Sequence, residues 1–368
     1  MTAIITSPTI KRDMTVHGTT ATNVSFPFAG SKHSFTVNIP RKLHEGARKV
    51  KRGECTGVGL TDHELWQAYF ESFVLDKEQD EVYEVLLDVF KQIKREKHLN
   101  DDEYVELLAA YVQSIPYDKK KAKWEMSHRT IPQHHNFIAE TIADGTGICS
   151  DKSLLLCGLL ERSGYGTALL CFQKAEHAVA GVAVPDGMGY FNSNYAIIET
   201  TNTNRMVGEG RGLGEMIVYP IGNGKKKYHG LGKVDQIKSR LTALVSTNNL
   251  LKKRIEDRKE RAEKLEGETQ SLHEKVQSLE KELEYPSRHT ASELAKIQSH
   301  YKNLHNTLRE RVPILAEEFR KVQEAINAYN TSQDVLKHLD GRAVDSRTMT
   351  NIINKAEQLL KQAEAALA

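Results

Sequence analysis

The stretch GICSDKSLLLCGLLERSGYG (147–166) decides the fold. A cysteine among small residues opens it, an apolar run at helical spacing follows, and Gly164 suits the left-handed position just past a helix end. Gly145 and Gly147 let the backbone ahead of Cys149 turn tightly, so the sulfur is expected at the exposed amino end of the helix. Aligned amide dipoles at that end favour the thiolate, the form in which cysteine is a nucleophile. Cys157, inside LLLCGLL, and Cys171, inside ALLCF, read as core packing.

After Gly166 the apolar period shortens to that of strands, in TALLCF (167–172), HAVAGVAV (177–184) and YAIIET (195–200). Before Cys149 it is helical. Leu65, Phe70, Phe73 and Val74 mark one amphipathic helix, and Val82, Val85, Leu86, Val89, Phe90 and Ile93 a second. Tyr104, Leu107, Leu108 and Tyr111 mark a third, which Asn100 and Asp101 cap and Pro116 ends. KKKAKWEMSHR (119–129) then reads as a charged loop. Helices first and strands later give an α+β domain.

The first sixty residues are rich in Thr, Ser and β-branched types, with one alternating run, SFTVNI (34–39), so strands or an extended arm are expected over 1–61. The basic stretch RKLHEGARKVKR (41–52) reads as solvated surface rather than a polyanion site. Glycines crowd the segment after the last strand and mark a linker, 208–233, between a core of 62–207 and a helical region of 234–368. In that region Leu265, Leu272, Val276, Leu279 and Leu283 trace a coiled-coil seam. Tyr285 and Pro286 break it, and Thr290 with Glu293 forms a capping box ahead of Leu294, Ile297, Tyr301, Leu304 and Leu308. An all-α antiparallel hairpin is expected, with further helices starting at Pro313 and near Ser346, separated at Asp340 and Gly341.

With 39% hydrophobic and 27% charged residues over 368 positions, the chain is two to three domains rather than disordered. A net charge of +2 lacks the basic excess of a nucleic-acid-binding chain. Four cysteines without regular spacing argue for free thiols in a reducing compartment. No apolar run approaches the ~20 residues of a membrane span, and no basic-then-apolar leader opens the chain. A cytoplasmic protein without a membrane partner is expected. SHRTIPQHHN (127–136) has no cysteine or carboxylate at ligand spacing and reads as a surface loop. GEGRGLGE (208–215) lacks the preceding strand and following Lys-Ser or Lys-Thr of a phosphate loop. Neither metal nor cofactor is expected.

A nucleophile needs a base, and the base needs an orienting acceptor. His177 opens the second strand and Glu199 closes the third, with the turn signature PDGMG (185–189) between them. A hairpin centred on Met188 puts the two side chains directly opposite, ~5 Å apart at Cβ. Asn192, Ser193 and Asn194 offer an alternative turn that changes this register.

GICSDKSLLLCGLLERSGYG, EHAVAGV (176–182) and YAIIETT (195–201) resemble, in order and spacing, the Cys, His and acidic motifs of the transglutaminase-like superfamily in its bacterial and archaeal branch. AYVQSIPYD (110–118) fits the same pattern upstream, so the resemblance covers about residues 100–201. It implies a papain-like core in which the cysteine helix packs on an antiparallel sheet. It also implies Cys149 as nucleophile, His177 as general base and acid, and Glu199, where many members carry Asp, as the acceptor that orients the imidazole. The family's oxyanion site pairs the cysteine N–H with an upstream side chain. Gln113 is the candidate by position and by its amide, and a plain polar residue at a helix end is the equal alternative. Asp151 belongs to the motif as a structural carboxylate that caps amides or pairs with a Lys or Arg.

Two functions fit. One is a cysteine-dependent hydrolase or acyltransferase that forms a Cys149 thioester with an amide of a protein or peptide and releases it to water or an amine. The other is a non-catalytic scaffold of the same fold whose coiled-coil hairpin binds protein partners. Both keep the C-terminal helices for self-association or partner binding, and the intact Cys, His and Glu favour the enzyme.

Overall fold

Alternating apolar side chains build the first elements. The computed structural model describes residues 4–52, 55–128, 134–203, 205–210, 213–337 and 345–368. The chain divides into two units, Met1–Lys238 with Leu339–Thr350 and Ser239–His338 with Asn351–Ala368. In the first unit β1 (Ile4–Thr6) precedes a hairpin of β2 (Thr19–Phe28) and β3 (Ser31–Pro40), then α1 (Arg41–Arg48) and β4 (Thr56–Val58), which pairs antiparallel with β1. Ala29 and Gly30, both at positive φ, make the tight hairpin turn. Phe26, Phe28, Val37 and Ile39 enter the same core as the cysteine helix, so 1–61 is not a separate arm. Arg48, Lys49 and Arg52 of the basic stretch are held by Asp144, Asp13 and Glu140.

Helices α2 (Asp62–Leu75), α3 (Asp80–Glu96) and α4 (Asp101–Ser114) follow the apolar spacing, and Thr61 and Asn100 close capping boxes with Glu64 and Glu103. The charged stretch after Pro116 is not a loop. It forms α5 (Lys119–His128), started by Asp118, whose carboxylate accepts the N–H groups of Lys120 and Lys121. After α6 (Ile138–Asp144) comes α7 (Cys149–Arg162), in which every residue from Ser150 to Leu160 is buried. Ser163 caps it and Gly164 takes φ +85°, the expected left-handed turn.

One face of an antiparallel sheet packs on α7. Its strands are β5 (Thr167–Phe172), β6 (His177–Ala183), β7 (Tyr195–Ile198) and β8 (Ile217–Ile221), in the order β7-β6-β5-β8. Leu169, Ala178, Ala180, Val182 and Ile198 face the helical core, while Leu170, Phe172, Val179 and Ile197 form a second cluster closed by Tyr190, Tyr195, Leu213 and Met216. β8 corrects the reading of 208–233 as a linker. It lies inside that segment and pairs along β5, with Pro220 tolerated because the strand is at the sheet edge.

The second unit is helical. It takes most of α8 (Leu231–Leu283), then α9 (Ala291–Lys337) and most of α10 (Ser346–Ala366). Thr290 and Glu293 make the expected capping box. No helix starts at Pro313, because α9 runs through it. The expected break at Asp340 and Gly341 lies outside the described residues. The less exposed residues repeat by fours and threes on both long helices: Leu251, Ile255, Arg258, Ala262, Leu265, Thr269, Leu272, Val276, Leu279, Leu283, against Leu294, Ile297, Tyr301, Leu304, Leu308, Arg311, Leu315, Glu318, Val322, Ala325. Arg258 grips Glu318 with two bonds of 2.9 and 3.0 Å, and Arg311 meets Glu268 at 3.0 Å, which fixes the antiparallel register. Near the open end of the hairpin, Ala356, Leu360, Ala363 and Leu367 of the C-terminal segment join Leu244, Leu251, Ile255 and Ala325 in one cluster.

The chain re-enters the first unit at Asp345. Asp345 accepts the Ala29 N–H, the Ser346 N–H donates to Glu106, and Arg347 pairs with Glu103. No helix among the described residues is long and apolar enough to cross a membrane.

Gly158 is where the cysteine helix touches α3, since a Cβ there would lie 1.8 Å from the Tyr83 hydroxyl oxygen. Gly158→Ala is expected to lower unfolding free energy by about 1–3 kcal/mol in urea titrations, despite the better helix propensity of Ala. Adding Tyr83→Phe, which deletes the clashing oxygen, should restore part of that loss.

Candidate active site

Ile148, the residue before α7, has no polar side chain with which to cap it. Asp151 does the work from inside the first turn. Its buried carboxylate accepts the Ile148 N–H at 3.0 Å and the Asn136 N–H at 2.8 Å, and meets Lys121 Nζ at 2.8 Å. One carboxylate thus ties α7, the segment before α6, and α5 together. Gly147 links the same end to the chain after Pro116: its N–H donates to the Pro116 carbonyl and its carbonyl accepts the Asp118 N–H. Its missing Cβ matters here, because one would lie 3.1 Å from Asp151 Cβ and 3.2 Å from Thr141 Cγ2. Gly145, at φ +64°, ends α6 in the left-handed conformation. Cys149 is left as the first residue of α7, partly exposed.

His177 and Glu199 meet, but not through the expected register. Ala180 pairs with Ile198, so extending the ladder sets His177 across from Thr201 and Glu199 across from Val179. The hairpin centre is Gly189 rather than Met188. A shift of two residues keeps both side chains on one face as diagonal neighbours. His177 Nε2 lies 2.8 Å from Glu199 Oε2, which leaves Nδ1 without a claim from the carboxylate, and His177 and Cys149 line one cleft. The second carboxylate oxygen of Glu199 accepts the N–H and hydroxyl of Thr201 at 2.8 and 2.7 Å. Ser153 of α7 donates to the Ala178 carbonyl at 3.2 Å and stands 3.1 Å from Thr200 Oγ1, fastening both strand ends to the cysteine helix.

Gln113 is not free to donate to a substrate. Its amide NH₂ is spent on the carbonyls of Glu199 and Arg205, at 2.8 and 2.9 Å, and its side chain is buried away from Cys149. It positions the backbone that carries Glu199. Lys152 does the matching task at the end of α4, donating to the carbonyls of Gln113 and Ile115 at 3.2 and 2.7 Å. Burial drives its pKa down to about 8 against the pull of Glu199.

Cys149 opens into a cleft of about 640 Å³ with Tyr117, Ala122, Met126, Phe172, Glu176 and His177 among its walls. Tyr117 was absent from the sequence-derived set, although it stands in the IPYD stretch. It lines the cleft together with Cys149 and is 37% exposed. Cys171 borders the same cleft, but burial pushes its thiol up to about 12, as it does for Cys157. His135 of the histidine-rich stretch is buried among Tyr69, Phe70 and Phe73, 3.0 Å from Ser150 Oγ, and residues 129–133 lie outside the described set. Among the described residues no group of His, Cys, Asp and Glu could hold a metal ion. Comparison with models of known protein families and with curated proteins gave no match.

Burial opposes charge on both members of the pair, yet hydrogen bonding wins. His177 is raised to about 10 by its bonds to Cys149 and Glu199, and Glu199 is lowered to about 2 by His177 and Thr201. The raised histidine stabilises the fold fully below pH 6.5 and loses that contribution as pH climbs through about 10. The lowered carboxylate contributes above pH 4.5 and loses it as pH falls through about 2. The melting temperature of the parent, relative to a His177→Ala, Glu199→Gln double variant, should therefore be highest between pH 4.5 and 6.5 and decline on both sides in calorimetric scans.

Proposed function

We propose that this chain is a transglutaminase-like cysteine hydrolase or acyltransferase, built on a papain-like core, that acts on amide bonds of a protein or peptide. The observation that carries this reading is His177, bonded to Glu199 at 2.8 Å and lining the same cleft as Cys149. With the proton on His177, the sulfur attacks the substrate carbonyl as thiolate, giving a tetrahedral intermediate. The Cys149 N–H and the Tyr117 hydroxyl, which share the cleft, are the donors for the developing oxyanion, in place of Gln113. His177 then gives its proton to the departing amine, leaving a thioester on Cys149. The neutral imidazole next takes a proton from the incoming water or amine, which attacks the thioester and frees the sulfur. Glu199 holds the ring orientation throughout and balances its positive charge.

A second reading, the non-catalytic scaffold, draws on the helical unit: the residues lining the cleft all fall between Tyr117 and Ala178, so the long hairpin supplies none of them. Under either reading the hairpin serves self-association or a protein partner.

Iodoacetamide labelling mapped by mass spectrometry separates the two. The enzyme reading expects Cys149 to label at pH 6 at least about tenfold faster than Cys55, with that advantage abolished in His177→Ala. Equal rates at the two cysteines, or an advantage that survives loss of the histidine, would remove the catalytic reading and leave the scaffold.

A further inference from the structure

The cleft at Cys149 does not end at its walls. Tyr117, Ala122 and Met126 also line a second hollow of about 510 Å³ that runs along α5, so the two form one groove over a shared apolar floor. Charge is sorted along it. Among the described lining residues the Cys149 end carries Glu125 and Glu176 and no Lys or Arg, whereas the α5 end carries Lys119 and Lys123 and no Asp or Glu. Both lysines are exposed, and neither forms an ion pair among the described residues, although Lys121 on the same helix is spent on Asp151. They stand one helical turn apart, about 6 Å along the axis, close to the rise of two residues of extended chain. An open groove with an apolar floor and two unspent cations one turn apart fits an extended polypeptide better than a small molecule, which a closed pocket would suit.

We infer that α5 is a substrate subsite: the groove takes an extended, acidic polypeptide whose apolar side chain rests on Tyr117, Ala122 and Met126 and whose carboxylates face Lys119 and Lys123. This rests on the reading of Cys149 as the acyl-accepting centre, since it assigns the α5 hollow to the same bound chain. It also gives the charged face of α5 a use that its role in the fold does not require. The attraction is between exposed groups, so it is modest per pair and weakens with salt.

The test measures binding first, which needs no chemistry. Fluorescein-labelled peptides of one apolar scaffold bearing two Glu or two Lys are titrated into full-length Cys149→Ala and followed by anisotropy. The acidic peptide should bind about tenfold tighter at low salt, the preference should shrink above 0.5 M salt, and it should vanish or reverse in Lys119→Glu, Lys123→Glu. Lys119→Gln, Lys123→Gln, which adds no new charge, should flatten the preference without reversing it. Equal binding of the two peptides, or a preference that survives both double variants, overturns the subsite. Turnover of p-nitrophenyl acetate, too small to reach α5, reports on Cys149 separately. If the ester is inert while the charge preference holds, the catalytic reading falls and the groove stands as a peptide-binding site. If the ester is turned over and the preference is absent, only the subsite falls.

Discussion

Everything in the first unit is arranged around a helix that has no outward face. From Ser150 to Leu160 each residue of α7 is buried, with the sheet against it on one side and the earlier helices on the others. Such a helix cannot rest on a half-core; it needs all its neighbours before its own burial becomes favourable. Its amino end is therefore rigid as well as partly open, a combination that a surface helix does not provide. Gly158 shows how little slack exists, and the carboxylate of Asp151, sealed from solvent, shows how the end is fixed: three segments converge on one anion.

That convergence explains why Cys149, His177 and Glu199 are gathered at one place although they come from distant parts of the chain. Cys149 is set by helix packing, His177 and Glu199 by strand ends that Ser153 fastens to the same helix. Gln113 and Lys152 supply a further layer, donating to the carbonyls of Glu199 and Arg205 and to those at the end of α4. These are positioning roles. Burial pushes the proton affinity of the imidazole down, and its bond to Glu199 and its nearness to Cys149 raise it past that loss.

Much of this was legible from periodicity. The helix after Cys149, the strands after Gly166 and the heptads of the long hairpin are written in apolar spacing, which local sequence carries directly. What failed to read was set by long-range contact or by backbone detail. α5 has too few apolar residues to announce a helix; it is held by the Asp118 cap and by Lys121 reaching Asp151. β8 hides among glycines and contains a proline, and only its place beside β5 makes it a strand. The register between β6 and β7 moved because the connection makes an irregular turn with Phe191 and Asn192 at positive φ; Asn192 belongs to the alternative turn the sequence offers, whereas Phe191 gives no signal for that conformation. Gln113 had the right chemistry for an oxyanion donor and the wrong surroundings, since two carbonyls out of reach of any local pattern claim its amide.

The return of the chain at Asp345 bears on how the molecule is made. Glu103 and Glu106 are buried early in the sequence, yet Arg347 and the Ser346 N–H that complete their bonding come more than two hundred residues later, after the long helices α8 and α9. During synthesis the amino-terminal part can collapse with Glu103 bonded to the Asn100 N–H and Glu106 to the Tyr228 hydroxyl, but the donor to the second oxygen of Glu106 and the guanidinium for Glu103 arrive only after the ribosome has delivered the hairpin. The long helices are thus a delay line in the chain: local in their own contacts and quick to form, they bring the closing segment back to where it began. Maturation of the cleft unit is coupled in time to completion of a unit that lends it no cleft residue.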